Sequence, residues 1–205
     1  MKNSFSNILP FLLIADLIIP FLLAPTYKGY SHLTQVMSVL GNSKAPLHLI
    51  YNIWLIVFGV AILISVLQLY PIVVQVSSAI SIVLFSVIVI YAIGGCILSG
   101  IFPVGETKSL ETLSAKIHGY GSVIGFLLLT LAPLLIGLYF FKVTNGLLGI
   151  LSFICFIFAI GFFALFVMAD KPNYRGTIIA FEGLWQRLSL LCMYLPITAL
   201  CIFQK

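Results

Sequence analysis

GLLGILSFICFIFAIGFFALFVMA, residues 146–169, runs for its whole length without a charged side chain. At about 1.5 Å per residue a helix of about 20 residues crosses the roughly 30 Å apolar core of a bilayer, so this stretch reads as a transmembrane helix. Working outward, five more apolar segments occupy residues 7–25, 48–69, 72–99, 118–141 and 183–203. Together they predict an all-α polytopic membrane protein, a bundle of six transmembrane helices, with residues 1–205 forming one integral membrane domain. Residues 7–25 follow Lys2, as a signal peptide would, but Leu22-Leu23-Ala24 runs into Pro25, a poor cleavage site, and the segment is expected to be retained.

Composition agrees. The chain is 62% hydrophobic and 7% charged, with a mean hydropathy of +1.23, against about 45–50% apolar and about 25% charged for an ordinary globular chain. That excludes a secreted or cytosolic protein. Ten Lys and Arg against five Asp and Glu leave a net charge of +5. These charges are scattered over short connections, whereas a nucleic-acid reader needs a clustered basic face. No nucleic-acid partner is expected. In a membrane such residues set orientation and meet anionic headgroups, so membrane lipids are the expected partners. The cysteines, Cys96, Cys155, Cys192 and Cys201, lie inside apolar runs without metal-ligand spacing and read as packing residues.

The connections are unequal. Residues 26–47, 100–117 and 170–182 form three longer loops, and six crossings put all three on one side. The other side holds the N-terminus, a tight turn expected at Tyr70-Pro71, a turn at Lys142–Asn145, and the C-terminal Phe203-Gln204-Lys205. The long-loop side carries Lys28, Lys44, Lys108, Lys116, Lys171 and Arg175, and the other Lys2, Lys142 and Lys205. By the positive-inside count the long loops face the cytoplasm. The expected location is a cell membrane, the inner membrane of a prokaryote.

Nearly all unusual polar residues share the long-loop side. They are His32 and Gln35 in the first loop, His48 and Asn52 opening the second helix, Glu106 and Glu111 in the third loop, His118 opening the fourth helix, and Glu182 and Arg187 opening the sixth. A bundle built only for packing has no reason to gather its histidines on one face. His48 and Asn52 are four apart and share a helix face, as do His118 and Ser122. Neutral imidazoles there could bind a metal, act as a base or hold a polar headgroup. No HExxH or HxxxH occurs, so no metal is assigned, and no cofactor is expected. Glu182 and Arg187 are five apart, too far around a helix to pair. Arg187 suits an anionic group through its fork of donors. Asp16 sits near the middle of the first helix, where a charge costs roughly 2.5–3.5 kcal/mol on insertion scales and so faces the bundle; Arg187 is an available partner. Gly121 and Gly125, with Gly94, Gly95 and Gly100, predict close packing of the third and fourth helices.

Three motifs carry a family resemblance. Tyr30-Ser31-His32-Leu33-Thr34-Gln35-Val36-Met37-Ser38-Val39-Leu40-Gly41 resembles a "Y…S.LG" element. Gly100-Ile101-Phe102-Pro103-Val104 with His118-Gly119 resembles a "G.FP…HG" element, and Glu182-Gly183-Leu184-Trp185-Gln186-Arg187-Leu188 resembles a "GL.QR" element. In this order, on six spans, they are similar to the domain-of-unknown-function 998 family of prokaryotic membrane proteins, over essentially the whole chain. The resemblance implies a six-helix protein with Tyr30, Ser38, Gly41, Pro103, His118 and Arg187 as its characteristic residues. The chain departs from the family pattern at His32 and Thr34.

The functional expectation is a polar pocket at one membrane interface that binds an amphipathic ligand, a lipid or isoprenoid with an anionic headgroup. Arg187 would hold the charge, with His118, His48, Asn52, Glu182, Tyr30, His32, Ser38 and Asp16 as further candidates. Two alternatives stand beside it. One is an intramembrane lipid-head hydrolase using His, Glu or Asp, with or without a metal. The other is an accessory subunit meeting a membrane protein partner, or a homo-oligomer, through the Phe-rich fifth helix (Phe153, Phe156, Phe158, Phe162, Phe163, Phe166).

Overall fold

The structure is a computed structural model and describes residues 7–105 and 110–203. Glu106 and Lys108 of the third loop, Lys2, Gln204 and Lys205 lie outside the described residues. Within them, six helices are long and apolar enough to cross a membrane, and no strand occurs.

The first span is α1 (Leu9–Leu23), extended by a 3₁₀ turn to Thr26. The second is α2 (His48–Val76). The turn expected at Tyr70-Pro71 is not there, because α2 passes through Pro71 and the chain reverses at Ser77, whose backbone is extended. Proline's fixed φ suits a helix and forfeits one backbone hydrogen bond. The Pro71 carbonyl also accepts from Gln75 Nε2 at 2.9 Å.

The third span joins α3 (Ser78–Ile90), a π-helical stretch Tyr91–Ile97 and a short α4 (Leu98–Ile101). π-Helical turns are rare and often mark functional sites. The fourth span begins at Leu113, earlier than the apolar run suggested, because Thr112 Oγ1 accepts from the Ala115 amide at 3.1 Å and caps the helix. It is divided into α5 (Leu113–Leu129) and α6 (Ala132–Lys142) where Pro133 enters the chain. The last two spans, α7 (Gly146–Ala169) and α8 (Glu182–Phe203), fall where expected.

Helices three and four meet through their glycines. A Cβ on Gly94 would lie 2.5 Å from the Gly121 carbonyl oxygen, so the two backbones touch at a distance only glycine permits. Ser99 Oγ and Ser122 Oγ bond across the same seam at 2.8 Å.

Elsewhere α7 packs on α6 and α8, while α5 packs on the π stretch, α3 and α4. The first loop does not trail into solvent. Its 3₁₀ turn, Met37–Gly41, buries Met37, Leu40 and Gly41 against the bundle.

Candidate functional site

Two polar residues at the start of α8 dock the first loop. Gln186 Oε1 accepts from the Met37 amide at 2.8 Å. Arg187 Nη1 donates to the carbonyls of Gly183 at 2.8 Å, His32 at 2.9 Å and Gln35 at 3.3 Å. Its Nη2 donates to the Tyr30 hydroxyl at 2.7 Å and lies 3.2 Å from His32 Nδ1. His32 stacks on Phe21 with centroids 4.2 Å apart, and the guanidinium carbon lies 5.7 Å from the centre of that ring. Gly183 permits this approach, since a Cβ there would strike the carbonyl oxygens of Gln35 and His32. Burial and the Arg187 charge hold the His32 imidazole below its ordinary pKa. The neutral ring can therefore accept from Arg187 through Nδ1. Burial raises the Tyr30 phenol, opposed by Arg187.

A second polar group lies within the span. Asp16, 2% exposed, accepts from Trp54 Nε1 at 3.0 Å and from the Tyr194 hydroxyl at 3.0 Å. Tyr194 in turn shares a short hydrogen bond with Tyr91 on the π stretch. Asp16 is thus met by neutral donors, while the Arg187 donors turn to the first loop.

Between these two clusters lies a cavity of about 250 Å³. Val36, Met37 and Ser38 of the first loop, with Val104 and Gly105, line it towards the loop face. Asp16, Tyr51, Leu55, Tyr91 and Gly95 line it deeper in the bundle. On α8 it is lined from Glu182 to Leu190, about two helical turns. Glu182, Val36, Val104 and Gly105 also border a groove on the loop face, which Lys44 lines as well. Among the described residues, the flank between α5 and α7 is lined by Val123, Phe126, Phe163, Phe166 and Val167. Val123 and Val167 are 58% and 49% exposed, so this flank of the cavity lies at the surface of the bundle.

Of the residues singled out in the sequence, Asp16, Ser38, His118 and Glu182 line this cavity. Arg187, Tyr30 and His32 form the loop clasp beside it. His118 is 7% exposed, and its Nδ1 lies 3.0 Å from the Phe102 carbonyl oxygen. His48 Nδ1 bonds the Ala45 carbonyl at 2.8 Å, closing the turn into α2 away from the cavity. Asn52 Nδ2 donates to the Gly41 carbonyl at 3.0 Å and fixes the other end of the loop. Gln186, Trp54, Tyr91 and Tyr194 were not singled out. Only Gln186 carried a signal, as the Gln of the element that also holds Arg187. Phe163 and Phe166 of the Phe-rich helix turn to the cavity, while Phe158 is exposed. Among the described residues no three His, Cys, Asp or Glu side chains gather to hold a metal ion.

The positions that the resemblance singled out fall on this framework. Tyr30 and Arg187 bond each other, Gly41 is held by Asn52, Ser38 and His118 line the cavity, and Pro103 follows the Phe102 carbonyl that His118 meets. No curated protein and no solved structure matches the chain significantly. The profile of DUF998, described as a protein of unknown function, matches residues 13–202, and the chain belongs to that family.

Proposed function

We propose that this protein binds an amphipathic ligand from the membrane, with the ligand's polar end in the cavity and its chain leaving between α5 and α7. The supporting observation is the cavity's two-sided character. It holds the polar groups of Asp16, Ser38, His118 and Glu182, and its flank between α5 and α7 is apolar and carries the exposed Val123 and Val167. Sites of this kind are concave and mostly apolar, with a few placed polar groups that fix orientation. Arg187 serves by holding the loop that roofs the cavity. In the same reading the chain sits in a prokaryotic cell membrane with its long loops in the cytoplasm.

The test is native mass spectrometry of gently solubilised protein. An amphiphile retained by the wild type and lost in Val123→Trp, which fills the flank from an exposed position, supports the reading. A bare chain, or retention unaffected by Val123→Trp, overturns it.

A further inference from the structure

Arg187, on which the expectation of an anionic headgroup rested, is not among the residues that line the cavity. Among the described residues its ionisable lining groups are two carboxylic acids, Asp16 and Glu182, with His118 and the phenols of Tyr51 and Tyr91. Among the described residues its lining contains neither Lys nor Arg. Arg187, expected to attract an anion, spends its Nη donors on loop carbonyls and Tyr30. An anionic headgroup beside Asp16 would face a buried carboxylate, inside a medium where like charges repel strongly.

Asp16 itself has capacity left. A carboxylate offers about four acceptor sites, and among the described residues Asp16 accepts two hydrogen bonds, both from neutral donors. Aromatic rings of Tyr51, Tyr91 and Phe126 line the same space, and ring faces attract cations through their quadrupole. A buried carboxylate among aromatic rings is the combination that recognises an organic ammonium.

We infer that the ligand is an amphiphile bearing an ammonium group, held by Asp16 and the aromatic wall, with its chain directed past Val123. This rests on the reading of the cavity as an amphiphile site and names the ligand's class.

The chain carries two tryptophans. Trp185 stacks on Phe162, so Trp185→Phe keeps an aromatic ring there, gives up the Nε1 bond to the Ile179 carbonyl, and leaves Trp54, the Asp16 donor, as the single tryptophan reporter. In neutral maltoside micelles, octyltrimethylammonium, octyl sulfate and octanol are titrated against Trp54 emission. The expected result is a saturable change with ammonium at a concentration at least about tenfold below that needed for the other two. Asp16→Asn, which keeps the side-chain shape, should abolish that preference.

Equal responses to all three probes in the wild type would overturn the ammonium assignment and leave the amphiphile site standing. Absence of any response would overturn both. The wild-type comparison decides even if Asp16→Asn fails to fold.

Discussion

The guanidinium of Arg187 donates to the main-chain carbonyl of His32 at 2.9 Å, joining residues 155 positions apart. Four further contacts to Gly183, Gln35, Tyr30 and the His32 ring surround that bond, so the arginine is a clasp between the last helix and the first loop. Removing it would leave several carbonyls without donors in a buried place. Arg187→Ala should therefore destabilise the protein by about 3 kcal/mol, in line with losing hydrogen bonds to a charged group. Arg187→Lys should recover little, because a single ammonium cannot span the fork. Thermal unfolding in detergent measures both, and an Arg187→Ala protein as stable as wild type would refute the clasp.

The glycine seam gives a paired prediction. Gly94→Ala places a methyl against the Gly121 carbonyl, and backbone cannot yield as a side chain does. Overpacking of this kind costs about 1–3 kcal/mol. Gly161 has nothing within 4 Å of an added Cβ, so Gly161→Ala should be neutral or stabilising by up to about 1 kcal/mol. The same unfolding assay reads the contrast, and equal effects at the two sites would contradict the packing described.

Acid should loosen the loop. His32 is held below its ordinary pKa by burial and by Arg187, so the folded state disfavours its protonated form. At pH values above the ordinary imidazole pKa the ring is neutral folded or unfolded, and docking is unaffected. Stability falls as the pH drops from there through the lowered folded value, then levels off. Hydrogen exchange of residues 27–41, corrected for its intrinsic pH dependence, should show faster opening at pH 5 than at pH 7.5. His32→Gln should remove the difference; a difference that persists would place the titrating group elsewhere.

Much of this architecture is legible in the sequence, and the parts that are not share a cause. Uninterrupted apolar length locates the spans, because a bilayer imposes it on any crossing helix, and residues 146–169 coincide with α7. Pro71 misleads because a proline late in a helix forfeits one bond without ending it. The small residues of the third and fourth helices announce a contact, since close backbone approach demands glycine on both sides.

The site is harder to read. Asp16 stands out as a charge in a span, but its partners Trp54 and Tyr194 are ordinary residues of apolar helices. Nothing in their spacing tells that they converge. For Arg187 a sequence shows the donors and not the carbonyls that its Nη groups meet. Those carbonyls belong to backbone, which has no letter in the sequence.

Photolabelling with an amphiphile that carries a diazirine on its chain tests whether a ligand occupies the cavity and leaves through the flank between α5 and α7. The expected adducts concentrate in residues 119–126 and 163–167, including Phe163, which is only 9% exposed. Adducts spread over the lipid-facing belt in proportion to exposure, strongest at positions such as Leu147 at 69% and Ile157 at 67%, would contradict that route.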